Sequence, residues 1–528
     1  MQRAWLALVV VALGCASVPI RKPDADALLS ADQRVLAGCY DCLTDARATY
    51  ERVAVGRARP LLIKRLFEVQ VLIVLREREL ALDWQPALER ARALAKELPG
   101  AAPGSDADAP PPLDADRVLA LVDLVPPDDY GWPLATLDDH RRRRTKALSA
   151  AAGEVAWLDG SPLSPAVRAY LRMSLECGYS AGTLGMPRRP VGWKPELPAD
   201  PPPLLAYRQA LCGTVTAPPL LAVRDQVPTF VETSLGLGRL AVSEVLRTGQ
   251  LAETLREVDA FYTRFPHSSS ATYLRGSFHQ LIEDWAGALP FYEATLALQP
   301  LHERALLGQT ECLTRLHRPD QAIQAATRMV DAGMPFLGDA LYWRAWNLRV
   351  LKRLPDARAD SDRAKTMRVG SGVLTLAGII EHDQDDLGPA ELDLKRAVSL
   401  SDGRDCEAGW YLGLVHIKKA AWSPAAERFE STMACYETRQ LEAESARRSL
   451  EAREHVDLDF KTRQIAGLDA SIRDSATQRA AAAFNAASFH AQVGNLERSR
   501  SLVEIAATDD SLTADVAALR KFLTSRER

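Results

Sequence analysis

Aromatic side chains are scarce in this chain of 528 residues, where Phe, Trp and Tyr together make up 6%. This low content argues against a protein that stacks sugar rings along its surface. There is no excess of positive charge either, because 65 Lys and Arg face 69 Asp and Glu for a formal charge of -4. Without a positive field to attract phosphates, we expect no nucleic-acid partner.

Long alternating runs of β-branched residues are also missing, so the pattern predicts an all-α chain. There is no Walker loop, GxSxG elbow, HExxH or dinucleotide fingerprint, and we therefore expect no enzyme activity, no cofactor and no metal. The acidic stretch that begins at Asp383 resembles a calcium loop only in part. Leu387 and Leu394 stand where that loop needs oxygen ligands, which favours a solvated turn.

The chain begins with a short cationic segment, Met1 to Arg3, followed by the ten apolar residues Ala4 to Leu13 and then Gly14 and Cys15. An apolar run this short cannot span a bilayer as a helix. Its length and its small residue before the cleavage point are typical of a secretory signal. The segment predicts export and cleavage of residues 1–14.

The sequence Ala12-Leu13-Gly14-Cys15 resembles the lipobox of bacterial lipoproteins. The resemblance implies that Cys15 becomes the first mature residue and carries acyl chains. In that family an Asp after the Cys favours retention in the inner membrane, and here Ala16 follows. We therefore expect a lipid anchor in the outer membrane, with the chain facing the periplasm. The basic run Arg141 to Arg144 could touch anionic head groups, although a solvated helix face is the favoured interpretation.

The second half of the chain repeats with a period near 34 residues. Equivalent positions are Thr254, Ala288, Ala322, Ala357, Ala390 and Ala425, which are spaced by 34, 34, 35, 33 and 35 residues. Small residues recur where two antiparallel helices would cross, with Gly276, Gly378 and Gly413 on the first helix of a pair. Bulky residues recur four positions after the second-helix anchor, as at Tyr292 and Phe429.

These positions resemble the tetratricopeptide repeat (TPR), a helix-turn-helix unit of 34 residues. The resemblance implies a right-handed α-solenoid of helical hairpins that follows a divergent, Pro-interrupted helical N-terminal half. We predict turns at Gly249-Gln250, Arg318 to Asp320, Leu354 to Asp356, Leu387 to Pro389 and Ser423-Pro424. The predicted regions after the signal are 15–98, TPR-like helices; 99–114, a flexible Pro/Ala/Asp-rich segment; 115–227, divergent helices with Pro-rich loops; 228–436, the TPR array; and 437–528, long helices with a terminal TPR-like unit.

In the TPR family, ligands lie on the concave face formed by the first helices. Aromatic and basic residues fall on those positions here, and such residues are typical of a protein-binding surface. An alternative is that some of the rings pack inside the array. The expected binding residues are Tyr273, Arg304, Tyr342, Trp346, Arg349, Trp410 and Lys418.

Export to an oxidising compartment makes disulfides possible. Cys406 opens a first helix and Cys435 closes the second helix of the same hairpin, so these two are the best candidates for a pair. Cys312 is the expected free thiol. Cys39 and Cys42 form a CxxC motif, but without an evident strand or helix start around it a redox role is disfavoured.

The function that these features favour is a non-enzymatic scaffold for protein partners, a periplasmic-side lipoprotein that supports an envelope or secretion assembly. One alternative is an outer-membrane lipoprotein with TPR-like helices that binds nutrients, which the low aromatic content argues against. The other is a cell-wall enzyme such as an exported lytic transglycosylase, but no room remains after Ala425 for its globular catalytic domain.

Overall fold

The computed structural model describes residues 22–99, 112–125, 149, 154, 157–177, 200–211, 215–333, 336–367 and 370–526. In these residues every regular element is a helix. They divide into two compact units. Unit 1 takes the described residues up to Leu240 together with Ala260–Ala271, and unit 2 takes Ala241–Asp259 and the described residues from Thr272 onward.

Eight helices of the described residues lie wholly in unit 1. They are α1 (Lys22–Ala37), α2 (Tyr40–Val53), α3 (Arg59–Glu79), α4 (Gln85–Ala95), α5 (Ala115–Leu124), α6 (Pro165–Cys177), α7 (Pro203–Leu211) and α8 (Ala217–Gln226), with a 3-10 turn at Gly56–Ala58. Helix α3 is the centre of the unit, because ten of the fourteen residues from Leu62 to Leu75 belong to the hydrophobic core.

Arg76, near the end of α3, is fully buried. Its guanidinium donates to the carbonyl of Gly38 at 2.7 Å and to Glu79 at 3.0 Å. It also stacks over Tyr207 with 4.1 Å to the ring centroid and over Phe230 with 4.9 Å. A buried charge is tolerated only when paired and hydrogen-bonded, and this one is both.

Three helices contribute residues to both units, and the helices that follow them belong to unit 2. The shared helices are α9 (Thr233–Thr248), α10 (Leu251–Arg264) and α11 (Ser269–Leu281). The others are α12 (Trp285–Leu298), α13 (Glu303–Arg315), α14 (Pro319–Asp331), α15 (Leu337–Val350), α16 (Leu354–Met367), α17 (Ser371–Asp383), α18 (Leu387–Leu400), α19 (Cys406–Lys418), α20 (Trp422–Glu451), α21 (Leu458–Gln492), α22 (Leu496–Ala506) and α23 (Thr513–Ser525), with a 3-10 turn at Asp510–Leu512.

The turn inside each hairpin of unit 2 follows one pattern. A residue with positive φ, between 53° and 84°, stands five residues before each of the six repeat anchors and five residues before Ser499, the equivalent position in the last hairpin. These residues are Gly249, Glu283, His317, Lys352, Asp385, Ala420 and Gly494. The turns therefore lie slightly earlier than most of the expected positions. Pro319 and Pro355 belong to the first turn of the second helix, where the missing N–H of proline costs nothing.

Small residues mark the helix crossings as the period predicts. The anchors Ala288, Ala322, Ala357, Ala390 and Ala425 are each fully buried. A Cβ atom added to Gly413 would lie 2.6 Å from the ring of Phe429, and one added to Gly378 would lie 2.5 Å from Leu394. Unit 2 is thus an array of TPR-type helical hairpins, and the described chain is an all-α protein.

The last hairpins depart from the standard length. Helix α20 has 30 residues and α21 has 35, and they pack together as an antiparallel pair. The buried alanines Ala482, Ala483, Ala486 and Ala487 let α21 approach its neighbours closely. Among the described residues, no helix combines the length and apolarity needed to cross a membrane.

The turn between α20 and α21 returns to the first hairpin of the array. Backbone N–H of Asp457 donates to the carbonyl of Gly249 at 3.0 Å, and Gln250 donates to the carbonyl of His455 at 2.8 Å. The carboxylate of Asp457 accepts from the backbone N–H of Ala252 at 2.6 Å and so caps the start of α10. We call this set of contacts between residues 453–457 and 247–252 the clasp.

Two disulfides and one free thiol are present in the described residues. Cys406 is joined to Cys435 and Cys39 to Cys42, while Cys312 is buried and unpaired. The CxxC motif does lie at a helix start, contrary to our sequence interpretation, because Cys39 is the N-cap of α2. Cys39 itself is buried.

Candidate functional site

The first helices of the hairpins form one layer of unit 2. Helix α13 contacts α15, α15 contacts α17, and α17 contacts α19, in addition to the contacts of each with its own second helix. Because each of these first helices contacts the first helix of the next hairpin, this layer lies on the inner side of the array. The sequence-predicted binding residues all fall on first helices.

Two of those residues are held by ring contacts within the array. Tyr273 stacks on His302 with 4.9 Å between ring centroids and lies 5.9 Å from the ring of Tyr292. Trp410 meets Phe429 edge to face at 5.4 Å. Both side chains are half-buried and pack against hydrophobic clusters, so each has a structural contact as well as an accessible part.

Tyr342 and Trp346 lie together on α15. Both are half-buried and pack against the cluster that contains Ala345 and Leu348. The ring of Tyr342 meets that of Trp343 edge to face at 5.3 Å. Burial, assisted by the negative charge of Glu407, raises the pKa of Tyr342, so its hydroxyl stays protonated and can donate a hydrogen bond.

The basic residues among the predicted set are engaged by neighbouring groups. Arg349 pairs with Asp383 at 2.8 Å and donates to the hydroxyl of Tyr411 at 3.2 Å. Lys418 donates to the carbonyl of His382 at 2.9 Å and lies 3.2 Å from Asp385.

Arg304 lies apart from this pair, and its guanidinium is 5.8 Å from the ring centroid of Phe336. The structure thus brings Arg349 and Lys418 to the end of α17 and leaves Arg304 elsewhere on the layer.

The acidic stretch after α17 is engaged in the same way. Asp383, Asp385 and Asp386 make ion pairs with Arg349, Lys418 and, at 3.5 Å, Arg358. Across the part of the chain that the structure describes, no three His, Cys, Asp or Glu side chains are grouped so that they could hold a metal ion.

Arg315, a charged residue of a first helix, lies between two tryptophans, a contact that the sequence did not reveal. The guanidinium of Arg315 is 5.5 Å from the ring centroid of Trp285 and 6.0 Å from that of Trp343. Its side chain is 54% exposed. The carboxylate of Glu311 lies 4.0 Å from the guanidinium of Arg315 and accepts a hydrogen bond from Gln280 at 2.8 Å. These contacts hold Glu311 beside Arg315.

Trp285 was not predicted as a binding residue because it is the first residue of a second helix, α12, whereas the expected ligand positions are all on first helices. A partial signal was present in the sequence, since Trp343 and Trp346 stand three residues apart and a helix places such residues side by side. We call the surface formed by Trp285, Arg315, Tyr342, Trp343, Trp346 and Arg349 the aromatic–arginine face.

Several sequence predictions lie outside the described residues. They concern the signal segment 1–14, the lipidation site Cys15, residues 100–111 of the segment 99–114 and the basic run Arg141 to Arg144.

No family model matches the sequence, and no curated protein matches it. Several solved structures show a partial likeness. YrrB, described as a TPR protein with an unusual peptide-binding site, is 16% identical with a TM-score of 0.32, over 39% of this chain and 100% of YrrB. PilW, described as a widely conserved type IV pilus biogenesis factor, is 12% identical with a TM-score of 0.28, over 54% of this chain and 97% of PilW.

The hetero-tetramer Cut9-Hcn1 of the APC/C is 11% identical with a TM-score of 0.43, over 95% of both chains. Independently of these likenesses, the regular hairpins, the left-handed turns and the small-residue crossings of unit 2 give the chain a TPR fold.

Proposed function

We propose that this chain is a non-enzymatic scaffold that binds a protein partner through the aromatic–arginine face. The observation that carries the proposal is Arg315, which stays half-exposed between Trp285 and Trp343. Trp, Tyr and Arg dominate the residues that contribute most to protein–protein binding, because they provide a large contact area at a small cost in conformational entropy.

The local geometry supports a surface that is ordered before binding. Tyr342 and Trp346 are fixed by packing against the core of the array, and Arg349 is held by Asp383. A partner that meets fixed rings loses less free energy to ordering than one that must freeze mobile side chains. Arg315, whose side chain is 54% exposed beside aromatic rings, favours a partner segment that carries both apolar and acidic side chains.

The cellular setting is part of the proposal and rests on the sequence. The apolar run and Cys15 support a lipoprotein on the periplasmic side of a bacterial outer membrane, where the scaffold would serve an envelope or secretion assembly. Several acyl chains together hold a protein firmly, since each buried methylene contributes about 0.8 kcal/mol. Mass spectrometry of the mature N-terminus, with fractionation of a Cys15→Ser variant, tests this anchor.

The binding test compares variants of the face in an affinity purification from detergent-solubilised membranes. Arg315→Ala and Trp346→Ala should each weaken capture of the partner that the wild type retains, by about 2 kcal/mol or roughly 30-fold in affinity. Arg318→Ala is the matched control, because Arg318 is exposed on the turn after α13 and lies outside the face.

Circular dichroism and thermal unfolding of each variant separate a binding defect from a folding defect. Full capture by both face variants at unchanged stability would disprove the proposed site. A loss in Arg318→Ala equal to that in Arg315→Ala would point to a general charge effect instead.

A further inference from the structure

Unit 1 contains a cavity of about 630 Å³ that lies between α1, α2 and α3 and the beginnings of α6 and α7. Cavities that hold small molecules commonly have volumes of about 300 to 1,000 Å³ and mostly apolar walls. The apolar part of this wall includes Val35, Leu36, Val69, Ala166, Val167 and Leu205. None of these residues belongs to the aromatic–arginine face.

A few polar groups converge on the same cavity. The hydroxyl of Tyr50 donates to Asp32 at 2.5 Å, and the guanidinium of Arg65 lies 3.3 Å from the other carboxylate oxygen of Asp32. Asp32 therefore already has a donor and a counter-charge, and its charge is balanced within the wall.

Glu68 is placed differently. Its side chain is only 10% exposed, and its Oε1 accepts the backbone N–H of Ser164 at 2.8 Å. The ammonium of Lys64 lies 3.7 Å from the same oxygen, and the Lys64 side chain is 46% exposed. Burial is the main influence on the Glu68 carboxyl and raises its pKa. A desolvated carboxylate whose counter-ion lies as far away as 3.7 Å is stabilised further when a cation binds in the cavity and pairs with it.

We propose that this cavity binds a small amphiphile with an apolar body and a primary amine, whose ammonium group pairs with Glu68. The apolar walls remove the body of such a molecule from water, at about 25 cal/mol for each Å² buried. The carboxylate of Glu68 disfavours an anionic head group, and a neutral head group would not form the ion pair. The cavity therefore discriminates by charge as well as by shape.

Isothermal titration of the full chain in detergent-free buffer tests the inference with three probes of equal length: octylamine, 1-octanol and octanoate. The expected order of affinity is octylamine, then octanol, then octanoate, with octylamine binding at one site and about tenfold or more tighter than octanol. Glu68→Gln keeps an acceptor for Ser164 and removes the charge. This variant should bring octylamine and octanol to similar affinity.

A second variant fills the space. Ala169 lines the cavity and is half-buried, so Ala169→Trp should abolish binding of octylamine and octanol alike. The controls are Glu89→Gln and Ala93→Trp, both at exposed positions on α4, which should titrate like the wild type. Failure of all three probes to saturate, or an amine preference that survives in Glu68→Gln, would overturn the proposal.

Discussion

The helices within each of the two units pack together through different kinds of contact. In unit 2 the helices approach each other at buried alanines and glycines that recur with the repeat, such as Ala288, Ala322 and Gly413. In unit 1 the centre holds a buried arginine, Arg76, surrounded by Glu79 and aromatic rings. The crossings of unit 2 join residues that are close in sequence, whereas the Arg76 cluster of unit 1 joins helices that are far apart in sequence.

This difference determines how each unit should respond to mutation. Each hairpin of a repeat array contacts mainly its neighbours, so stability is approximately a sum of local terms. The ion cluster of unit 1 links α3 to α6 and α7, since Glu79 also accepts from Tyr170 at 2.7 Å and pairs with Arg208 at 2.9 Å. Damage to that cluster should therefore spread through the unit.

The largest effect is expected for Arg76→Met. Removing the guanidinium leaves the carbonyl of Gly38 without its donor and deprives Glu79 of one of its two buried cations. Breaking a buried ion pair from one side costs about 3 to 5 kcal/mol in the free energy of unfolding. Hydrogen exchange read by mass spectrometry should show lost protection in peptides from both α3 and α7.

The matched control is Arg90→Met, because Arg90 makes only a surface ion pair with Glu51 at 3.5 Å. Such pairs contribute about 0 to 1 kcal/mol. If Arg76→Met were no more destabilising than Arg90→Met, the buried cluster would not be the basis of unit 1 stability.

A somewhat smaller effect, confined to a few hairpins, is expected for Gly413→Leu in unit 2. The new side chain would collide with Phe429, which is fully buried, and overpacking of this kind costs about 1 to 3 kcal/mol. Exchange should rise in α19 and α20 and stay unchanged in α12 and α13. Gly372→Leu is the control, since nothing lies within 4 Å of a Cβ added there. Uniform loss of protection along the array would contradict the local model.

The same contrast explains what the sequence could reveal. The crossings at Gly413 and Ala425 were predictable because a period of 34 is visible within the chain itself. The role of Arg76 was not, since its partners Tyr207 and Phe230 are remote in sequence and carry no spacing signal. The positive φ of the turn residues Glu283 and His317 was not predictable for another reason. These residues are not glycines, and the turn geometry imposes positive φ on ordinary side chains.

The candidate face was predicted in part. The register of the repeats correctly located Tyr342 and Trp346 on a first helix, because a helix places every third or fourth residue on one side. It could not reveal Arg315 with Trp285, since that contact joins a first helix to a second helix of the preceding hairpin. The cavity of unit 1 escaped as well, because its walls come from five helices whose packing no local pattern describes.

Unit 2 also contains a buried charge, and it predicts a pH dependence. Burial raises the pKa of Glu381 to about 7 despite the nearby Lys365 and Arg358. The folded form thus holds a proton that the unfolded form, with a value of 4.5, releases earlier. The contribution of Glu381 to the free energy of unfolding is therefore full below about pH 4.5 and falls by about 3 kcal/mol as the pH rises to 7.

Hydrogen exchange of α16 to α18 at pH values from 5 to 7.5, corrected for intrinsic rates, measures this decline. Glu381→Gln should reduce it. Glu391→Gln is the control, because the lysines Lys395 and Lys419 hold the pKa of Glu391 at about 2, and its contribution is lost only as the pH falls below 4.5. An identical slope in the two variants would refute the assignment to Glu381.

The smallest effect should come from the clasp, where the first hairpin contacts the turn after α20 although the two are remote in sequence. Asp457→Ala removes the cap from Ala252, and loss of a helix cap costs about 1 kcal/mol. Because the clasp joins the first hairpin to the turn after α20, exchange should increase at both residues 247–257 and residues 450–458, although they are remote in sequence. Asp459→Ala, at an exposed position in the first turn of α21, should leave both segments protected.

Gly249→Ala tests the clasp from its other side, since Gly249 has a φ of 70° and a Cβ there would lie 2.5 Å from Val456. If either clasp variant loosened only its own segment, the two ends would be independent, and unit 2 would behave as a purely linear array.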